Sequence, residues 1–326
     1  MPVSAFYGSL YPSGSSSTPQ LNASTVSLIT ASGFDTVIFS LMHIGRPGVG
    51  NQQLGDLVFN NTPDIVATGG VIQTSFVGQP GSDWAYYMNQ LKAGGVKKIY
   101  ISIGGGSPVQ DYGTIASIMQ YTDPGNQTGP YIPANSNLYQ NFAALCAYLP
   151  MVDGIDLDQE EDITQTYTDA MTALGNMALA VGFPEVTLVP PFDSFLQCYS
   201  NAGVAINTYG AAMTTPVNGA VTRIGLQLYG GCSVNAWSSV PETIGAAGGG
   251  ANPVLTVGAS ADGASTTDIN NTFYNYTAGF GDTPIAGGFI WEYDYIESSP
   301  ACYQQAMMLG LAGNTNWPPA SGPCAG

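Results

Sequence analysis

Charged residues are scarce in this 326-residue sequence, in which only 8% of positions are Asp, Glu, Lys or Arg, against about 25% in typical soluble domains. Five Lys and Arg stand against 22 Asp and Glu, so the formal net charge is −17. A chain so poor in cations cannot neutralise phosphates or dock on anionic lipid. The composition therefore excludes nucleic acids and membrane surfaces as partners.

Histidine is nearly absent, and the cysteines lack the close spacing of metal-binding or redox motifs. His43 is the only histidine, which argues against His-based catalytic triads and multi-His metal sites, and we interpret it as a loop residue without a special role. The five cysteines contain no C-x-x-C pair, so zinc or thioredoxin-like chemistry is not indicated. We expect one or two disulfides with an odd thiol left over, and neither a metal nor a cofactor.

Long apolar runs are missing too, since no stretch approaches the roughly 18 residues of a membrane-spanning helix. The hydrophobic content of 44% is nevertheless ordinary for a chain with a real core. Solubility must rest on uncharged polar residues, a composition that suggests a secreted protein. Five Asn-x-Ser/Thr tripeptides support this weakly. We expect a secreted monomer.

Short apolar, β-branched runs recur along the whole chain, each followed by a Gly/Pro/Asp-rich stretch and then a helix-like segment, and this alternation predicts βα units. Eight strands in about 300 residues fit a single (β/α)₈ TIM barrel domain over residues 1–326. The predicted strands are Val3–Tyr7, Thr36–Leu41, Lys98–Ile103, Val152–Asp158, Glu185–Val189, Arg223–Tyr229, Pro253–Val257 and Gly287–Trp291. The predicted helices are Thr25–Ser32, Trp84–Ala93, Tyr112–Gln120, Leu138–Leu149, Tyr167–Val181, Asn201–Met213, Val240–Gly245, Thr267–Ala278 and Ala301–Leu311. A further apolar piece, Gly70–Phe76, predicts a hairpin excursion on the top of the barrel.

The strongest chemical signal is the segment MVDGIDLDQE at residues 151–160. On a strand, Asp156, Asp158 and Glu160 project to one side, with successive acids roughly 6.6 Å apart. Three carboxylates in one enclosed row cannot all ionise, so a proton is shared and we expect the outermost acid to have a raised pKa. Glycosidic-bond cleavage needs such a protonated acid near neutral pH.

Residues 153–160 resemble the D-G-x-D-x-D-x-E signature of glycoside hydrolase family 18, the chitinases and endo-β-N-acetylglucosaminidases. Three weaker motifs appear in the family's order. Residues 102–105 (SIGG) resemble the S-x-G-G that ends the third strand, residues 227–229 (QLY) the [MQ]-x-Y of the sixth, and residues 288–291 (GFIW) the Trp-containing end of the eighth. The resemblance covers nearly the whole chain.

The resemblance implies a retaining, substrate-assisted hydrolysis of β-1,4 bonds next to N-acetylglucosamine, an exception to the two-carboxylate scheme. Chitin or chitooligosaccharides are the expected substrates, with N-glycan cores or peptidoglycan-type glycans second. Glu160 would protonate the leaving oxygen and then act as base on water. Asp158 would orient the acetamido N–H, Asp156 would hold the shared proton, and Tyr229 would bind the acetamido group. The expected sugar contacts are Trp291, which forms the floor, and Gln227, Tyr7, Phe39 and Gly105.

One departure from the family's pattern keeps an alternative open. Gly230 follows Tyr229 where the family usually has Asp or Asn, so one sugar contact is missing, and a chitinase-like protein that binds sugar without cleaving it is the competing interpretation. The acidic row does not have the spacing of an EF-hand calcium loop. Other aromatic residues could offer stacking faces, although ordinary packing is the interpretation we favour for each. They are Trp84, Trp237, Trp317, Tyr11, Tyr112 and Tyr293.

Overall fold

The computed structural model describes residues 2–11, 20–60, 64–106, 110–122, 128–161, 164–189, 221–229, 254–281, 285–319 and 324. Its strands are β1 (Val3–Gly8), β2 (Thr36–Ile44), β3 (Leu57–Phe59), β4 (Ile65–Thr68), β5 (Val71–Ile72), β6 (Lys98–Gly104), β7 (Gln120–Thr122), β8 (Thr128–Tyr131), β9 (Gly154–Asp158), β10 (Glu185–Leu188), β11 (Val221–Gln227), β12 (Val254–Ser260) and β13 (Gly287–Trp291). Eight of them pair in parallel and close into a barrel, in the order β1, β2, β6, β9, β10, β11, β12, β13 and back to β1. The (β/α)₈ barrel and all eight predicted strands are confirmed.

Helices surround the barrel, and their first turns explain where several of them begin. Side chains of Asn22, Asp83, Ser136, Thr164 and Ser265 accept hydrogen bonds from the free backbone N–H groups of the helices that follow. The helices are α1 (Ala23–Ser32), α2 (Thr74–Val77), α3 (Trp84–Ala93), α4 (Asp111–Ile118), α5 (Asn137–Tyr148), α6 (Gln165–Val181), α7 (Thr266–Phe280), α8 (Tyr293–Ile296) and α9 (Pro300–Leu311). Seven predicted helices are confirmed within a few residues. The predictions at 201–213 and 240–245 lie outside the described residues.

Two apolar layers follow from the alternation of side chains along the strands. The outer layer fills the space between strands and helices, and Ile155 and Leu157 of β9 belong to it. The inner layer lies inside the barrel, where Tyr7, Tyr100 and Phe289 pack together. The opposite face of β9, with Asp156 and Asp158, is therefore directed into the barrel, as the sequence pattern predicts.

Additions to the barrel lie near its upper rim, where the strands have their carboxyl ends. β3 pairs antiparallel with the end of β2, and β4 and β5 continue that sheet as a hairpin. This confirms the predicted hairpin excursion, although within the Gly70–Phe76 piece only Val71–Ile72 is a strand and Thr74–Val77 forms α2. A second hairpin of β7 and β8 was not predicted, and Gln120, expected at the end of a helix, is the first residue of β7. No helix in the described part of the chain is long and apolar enough to cross a membrane.

The three cysteines in the described part of the chain agree with the expected pattern of a disulfide and a free thiol. Cys302 and Cys324 form a disulfide that ties the chain's end to α9. Cys146 on α5 is a free, half-buried thiol. Cys198 and Cys232 lie outside the described residues.

Candidate active site

The acidic row stands at the carboxyl end of β9, between β6 and β10. The register pairs Asp156 with Ser102 on one side and with Thr187 on the other. Parallel strands bring residues of equal height together, so hydroxyl groups from both neighbours meet the innermost acid. Catalytic residues of this barrel architecture lie at this end of the strands.

Asp156 is completely buried and is held by hydroxyl groups. Its Oδ2 accepts hydrogen bonds from the Tyr7 hydroxyl and from Ser102 Oγ, each at 2.9 Å, and its Oδ1 accepts one from Thr187. Arg223 Nη2 lies 3.5 Å from Oδ1. Three hydroxyl donors and a guanidinium group thus surround this carboxylate.

Asp158 is the acid that burial most affects. Its side chain is enclosed, and burial followed by the nearby carboxylates of Glu160 and Asp156 raises its pKa well above the ordinary value. Gln227 Nε2 donates to Asp158 Oδ1 at 2.9 Å. Within the row, a raised pKa is therefore found for Asp158, the middle acid.

Glu160 lies just beyond the end of β9 and is only half buried, so it is open toward the space above the barrel. Gln227 Nε2 donates to its Oε1 at 3.1 Å, which joins Glu160 to Asp158 through one amide group. The chain after β6 passes close by, and a methyl group on Gly106 would stand only 3.0 Å from Glu160 Oε2. A larger residue there would crowd the outer carboxylate.

Gly105 contacts the row through its backbone. Its N–H donates to the Asp158 carbonyl at 2.8 Å, and its φ of +96° suits glycine. A methyl group on it would meet Leu41 Cδ1 at 2.1 Å. Gly105 therefore shapes the rim, where a side chain would not fit.

Tyr229 and Trp291 flank the row from other strands. Tyr229 lies just past the end of β11, and Trp291 is the last residue of β13. Burial, followed by the charges of Asp158 and Glu160, raises the pKa of Tyr229 well above its ordinary value, so the phenol stays neutral and can donate a hydrogen bond. Trp291 is half buried, and its ring centroid lies 5.7 Å from that of Tyr7. Both residues are thus near the acids with part of their surface free.

Three predicted sugar contacts have other surroundings. Tyr7 and Gln227 are buried, and their polar groups are engaged by the acids, so they hold the row from within. Phe39 does not reach the site, which corrects the expectation. It belongs to the outer apolar layer, with its ring centroid 5.9 Å from that of Trp84, because its position on β2 faces the helices.

Sequence reasoning missed two residues of this site, Thr187 and Arg223. Arg223 lies on the same strand face as Gln227 and Tyr229, since the three are separated by even numbers of residues. That spacing could have placed it inside the barrel. Glu161, next to the row, faces elsewhere: its carboxylate accepts from the N–H groups of Tyr112 at 2.7 Å and Gly113 at 3.1 Å, at the start of α4.

His43 is not the loop residue we expected. It lies within β2 and is buried, with Nδ1 2.8 Å from Asp111 Oδ2. Asp111 also accepts from the Ile44 N–H at 2.6 Å, so the pair joins β2 to α4. No group of acidic, His or Cys side chains suited to a metal ion occurs among the described residues.

The remaining aromatic candidates are packing residues, as favoured from the sequence. Trp84, Tyr112 and Tyr293 are fully buried, and the Trp84 indole N–H donates to the Leu10 carbonyl. Tyr11 is buried too, and Trp317 donates to Thr266 against α7. Trp237 and Gly230 lie outside the described residues.

Comparisons with known proteins support the fold. No family model and no curated protein matches the sequence. Among solved structures, a GH18 chitinase from Pseudoalteromonas aurantia matches with a TM-score of 0.57 at 14% identity, over 94% of this chain and 99% of that chain. A family 18 chitinase from Crocus vernus matches at 0.53 and 14%, over 95% and 99%. A xylanase and α-amylase inhibitor protein from Scadoxus multiflorus matches at 0.51 and 16%, over 94% and 98%.

These likenesses confirm that the chain has the fold of the family 18 chitinases. The same fold occurs in chitinases and in an inhibitor protein of xylanase and α-amylase. The fold by itself therefore does not distinguish catalysis from binding.

Proposed function

We propose that this chain is a family 18 glycoside hydrolase that cleaves β-1,4 bonds next to N-acetylglucosamine, with chitin or chitooligosaccharides as substrate. The observation that carries the proposal is the joined row of acids: Gln227 connects Asp158 to Glu160, and Asp156 lies directly below in a shell of hydroxyl groups. A half-exposed acid above a buried one whose pKa is raised suits protonation of a leaving group at the mouth of a barrel.

In the first step, Glu160 gives its proton to the glycosidic oxygen as the bond from that oxygen to the anomeric carbon breaks. The carbonyl oxygen of the substrate's own 2-acetamido group forms the new bond, which gives an oxazolinium ion. An oxygen of Asp158 accepts the acetamido N–H and Tyr229 donates to the acetamido group. Together they hold the nucleophile in line.

In the second step, ionised Glu160 takes a proton from a water molecule, whose oxygen bonds to the anomeric carbon as the oxazolinium ring opens. Two inversions at the same carbon leave the product in the β configuration. Trp291 provides an apolar surface under the distorted sugar.

Sugar binding without turnover is the second candidate, supported by the fold shared with an inhibitor protein. The presence of Glu160, Asp158 and Asp156 favours the hydrolase. Reporter release from an N-acetyl-chitobioside separates the two, because a binding protein would show affinity for chitooligosaccharides by calorimetry and no release.

Partially acetylated chitosan tests the mechanism itself. Since the nucleophile belongs to the substrate, cleavage should occur only where the sugar on the non-reducing side of the broken bond is acetylated. Cellulose, xylan and fully deacetylated chitosan should stay intact, and a thiazoline mimic of the oxazoline should inhibit. New reducing ends bearing glucosamine, or initial products in the α configuration, would exclude substrate assistance.

We also propose that the protein is a secreted, single-domain monomer. The Cys302–Cys324 disulfide supports secretion, because such bonds persist mainly in oxidising compartments. A neutral, acetylated polysaccharide would not be repelled by a chain of net charge −17. Light scattering of the purified protein and detection of the chain in culture medium test the two statements separately.

A further inference from the structure

A single arginine lies inside the barrel, directly below the acidic row. Arg223 is buried, with its Cζ 4.9 Å from the centre of the Tyr100 ring. Its Nη2 lies 3.5 Å both from Asp156 Oδ1 and from Thr187 Oγ1. Its Nε and Nη1 have no hydrogen-bond partner among the described residues. A guanidinium so little satisfied is costly to bury, which calls for a role.

The charges around Arg223 leave Asp156 as its ionic partner. Glu185 on β10 is taken by Lys98 and by the Tyr100 hydroxyl of β6. The other titratable groups that face the pair are Tyr7 of β1, Asp158 of β9 with Glu160 beyond it, and Tyr229 past the end of β11. β2, β12 and β13 present Ile38, Thr256 and Phe289, which do not titrate.

We propose that Arg223 is a positioning residue that holds Asp156 as an anion and thereby confines the proton of the row to the upper pair, Asp158 and Glu160. A fixed positive charge about 4 Å from a carboxylate in a poorly solvated site strongly favours the ionised form. The proton then stays where the leaving group is, and it does not move down to Asp156. This proposal rests on the proposed function for its catalytic consequence, but the placement of the proton can be measured without turnover.

The direct test titrates Asp156 alone. In an Asp158→Asn background, infrared spectra of protein carrying ¹³C-carboxyl aspartate are recorded against pH, and the spectrum of the Asp156→Asn/Asp158→Asn double variant is subtracted. Adding Arg223→Met, which keeps the volume and removes the charge, should move the midpoint of Asp156 upward by about one to three pH units. Arg223→Lys should restore most of the shift. Arg223→Gln serves as a second neutral variant if Arg223→Met does not fold.

Activity gives the second readout. With Asp158 in place, the acidic limb of the kcat/KM profile on an N-acetyl-chitobioside should move to higher pH by about one unit or more in Arg223→Met, and return in Arg223→Lys. A merely structural role would lower activity at every pH and leave the limb in place. An unchanged Asp156 midpoint overturns the proposal. A shifted midpoint in a protein without any turnover would instead uphold the placement of the proton and reject the hydrolase.

Discussion

The two ends of the barrel treat their acidic residues in opposite ways. At the bottom, where the strands begin, all three lysines of the chain form ion pairs with carboxylates. The pairs are Lys92 with Asp153 at 2.5 Å, Lys97 with Asp35 at 3.2 Å, and Lys98 with Asp153 at 3.6 Å and with Glu185. At the top, Asp158 and Glu160 receive an amide group instead of a cation. In a chain with so few cations, the acids at the bottom are paired with lysines and these two acids at the top are not.

This difference appears in the pKa of one acid at each end, Glu185 at the bottom and Glu292 at the top. Burial opposes ionisation of Glu185, but the hydrogen bond and charge of Lys98, with a hydrogen bond from the Tyr100 hydroxyl, outweigh it and lower its pKa. At the top, burial followed by the charge of Asp294 raises the pKa of Glu292 to about 7. Glu185 therefore stabilises the fold in its ionised form, whereas ionisation of Glu292 costs stability.

The largest effect should come from the outer acid. We expect Glu160→Gln to retain the fold and sugar binding and to lower kcat about 10⁴-fold or more, because the same carboxyl serves as acid and then as base. The matched control is Glu161→Gln, the same change one residue along, where the carboxylate caps α4. It should lose stability and keep most of its turnover. Wild-type turnover in Glu160→Gln would remove the distinction between the two acids.

Asp158→Asn should have the next largest effect. The change preserves shape but removes the carboxyl group that faces the developing oxazolinium ion. We expect kcat to fall about 10²- to 10³-fold with little change in KM, the pattern of an interaction made in the transition state. Steady-state kinetics on a chitooligosaccharide measures both constants. A defect confined to KM would indicate simple substrate binding by Asp158.

The contrast between the ends also shows what the sequence could reveal. Short apolar, β-branched runs were enough to find the eight strands, and period-two alternation placed Asp156 and Asp158 inside the barrel. It could not show which acid holds the proton. That depends on hydroxyl groups and a guanidinium from four other strands, at sequence separations of 31 to 149 residues. Phe39 was misplaced because a motif-based contact ignored the face of β2 on which it lies.

Changes at the bottom should affect stability and spare activity. We expect Glu185→Gln to lower the free energy of unfolding by about 1 to 2 kcal/mol at pH 7, because it removes the closer of the two carboxylates that pair with Lys98. The pKa of Glu185 is lowered, so its contribution is present above the ordinary value near 4.5 and is lost as pH falls below that value. The difference in stability between the wild type and Glu185→Gln should therefore vanish in acid.

Asp35→Asn, which removes the carboxylate paired with the exposed Lys97, is the control and should change stability little. Urea unfolding at several pH values measures all three proteins, and a loss of kcat in Glu185→Gln would break the separation of the two ends.

The smallest effect should be a gain in stability at the top. The pKa of Glu292 is raised from 4.5 to about 7, so its ionisation costs free energy as pH rises through that window. Below the window both Glu and Gln are neutral and should be equally stable. Above it, Glu292→Gln should be more stable by about 1 kcal/mol, a value reduced for the partial exposure of the side chain. The amide of the Glu292→Gln variant would still accept the hydrogen bond that Ser9 Oγ donates to Glu292 Oε2 at 3.2 Å.

Thermal unfolding of Glu292→Gln at pH 4 and pH 8 is compared with that of Asp262→Asn, which removes the same charge from an exposed position. If both variants gain equally at pH 8, the cause is relief of the overall net charge. A gain confined to Glu292→Gln would show that the cause is the cost of ionising a half-buried carboxyl group that has no cationic partner among the described residues.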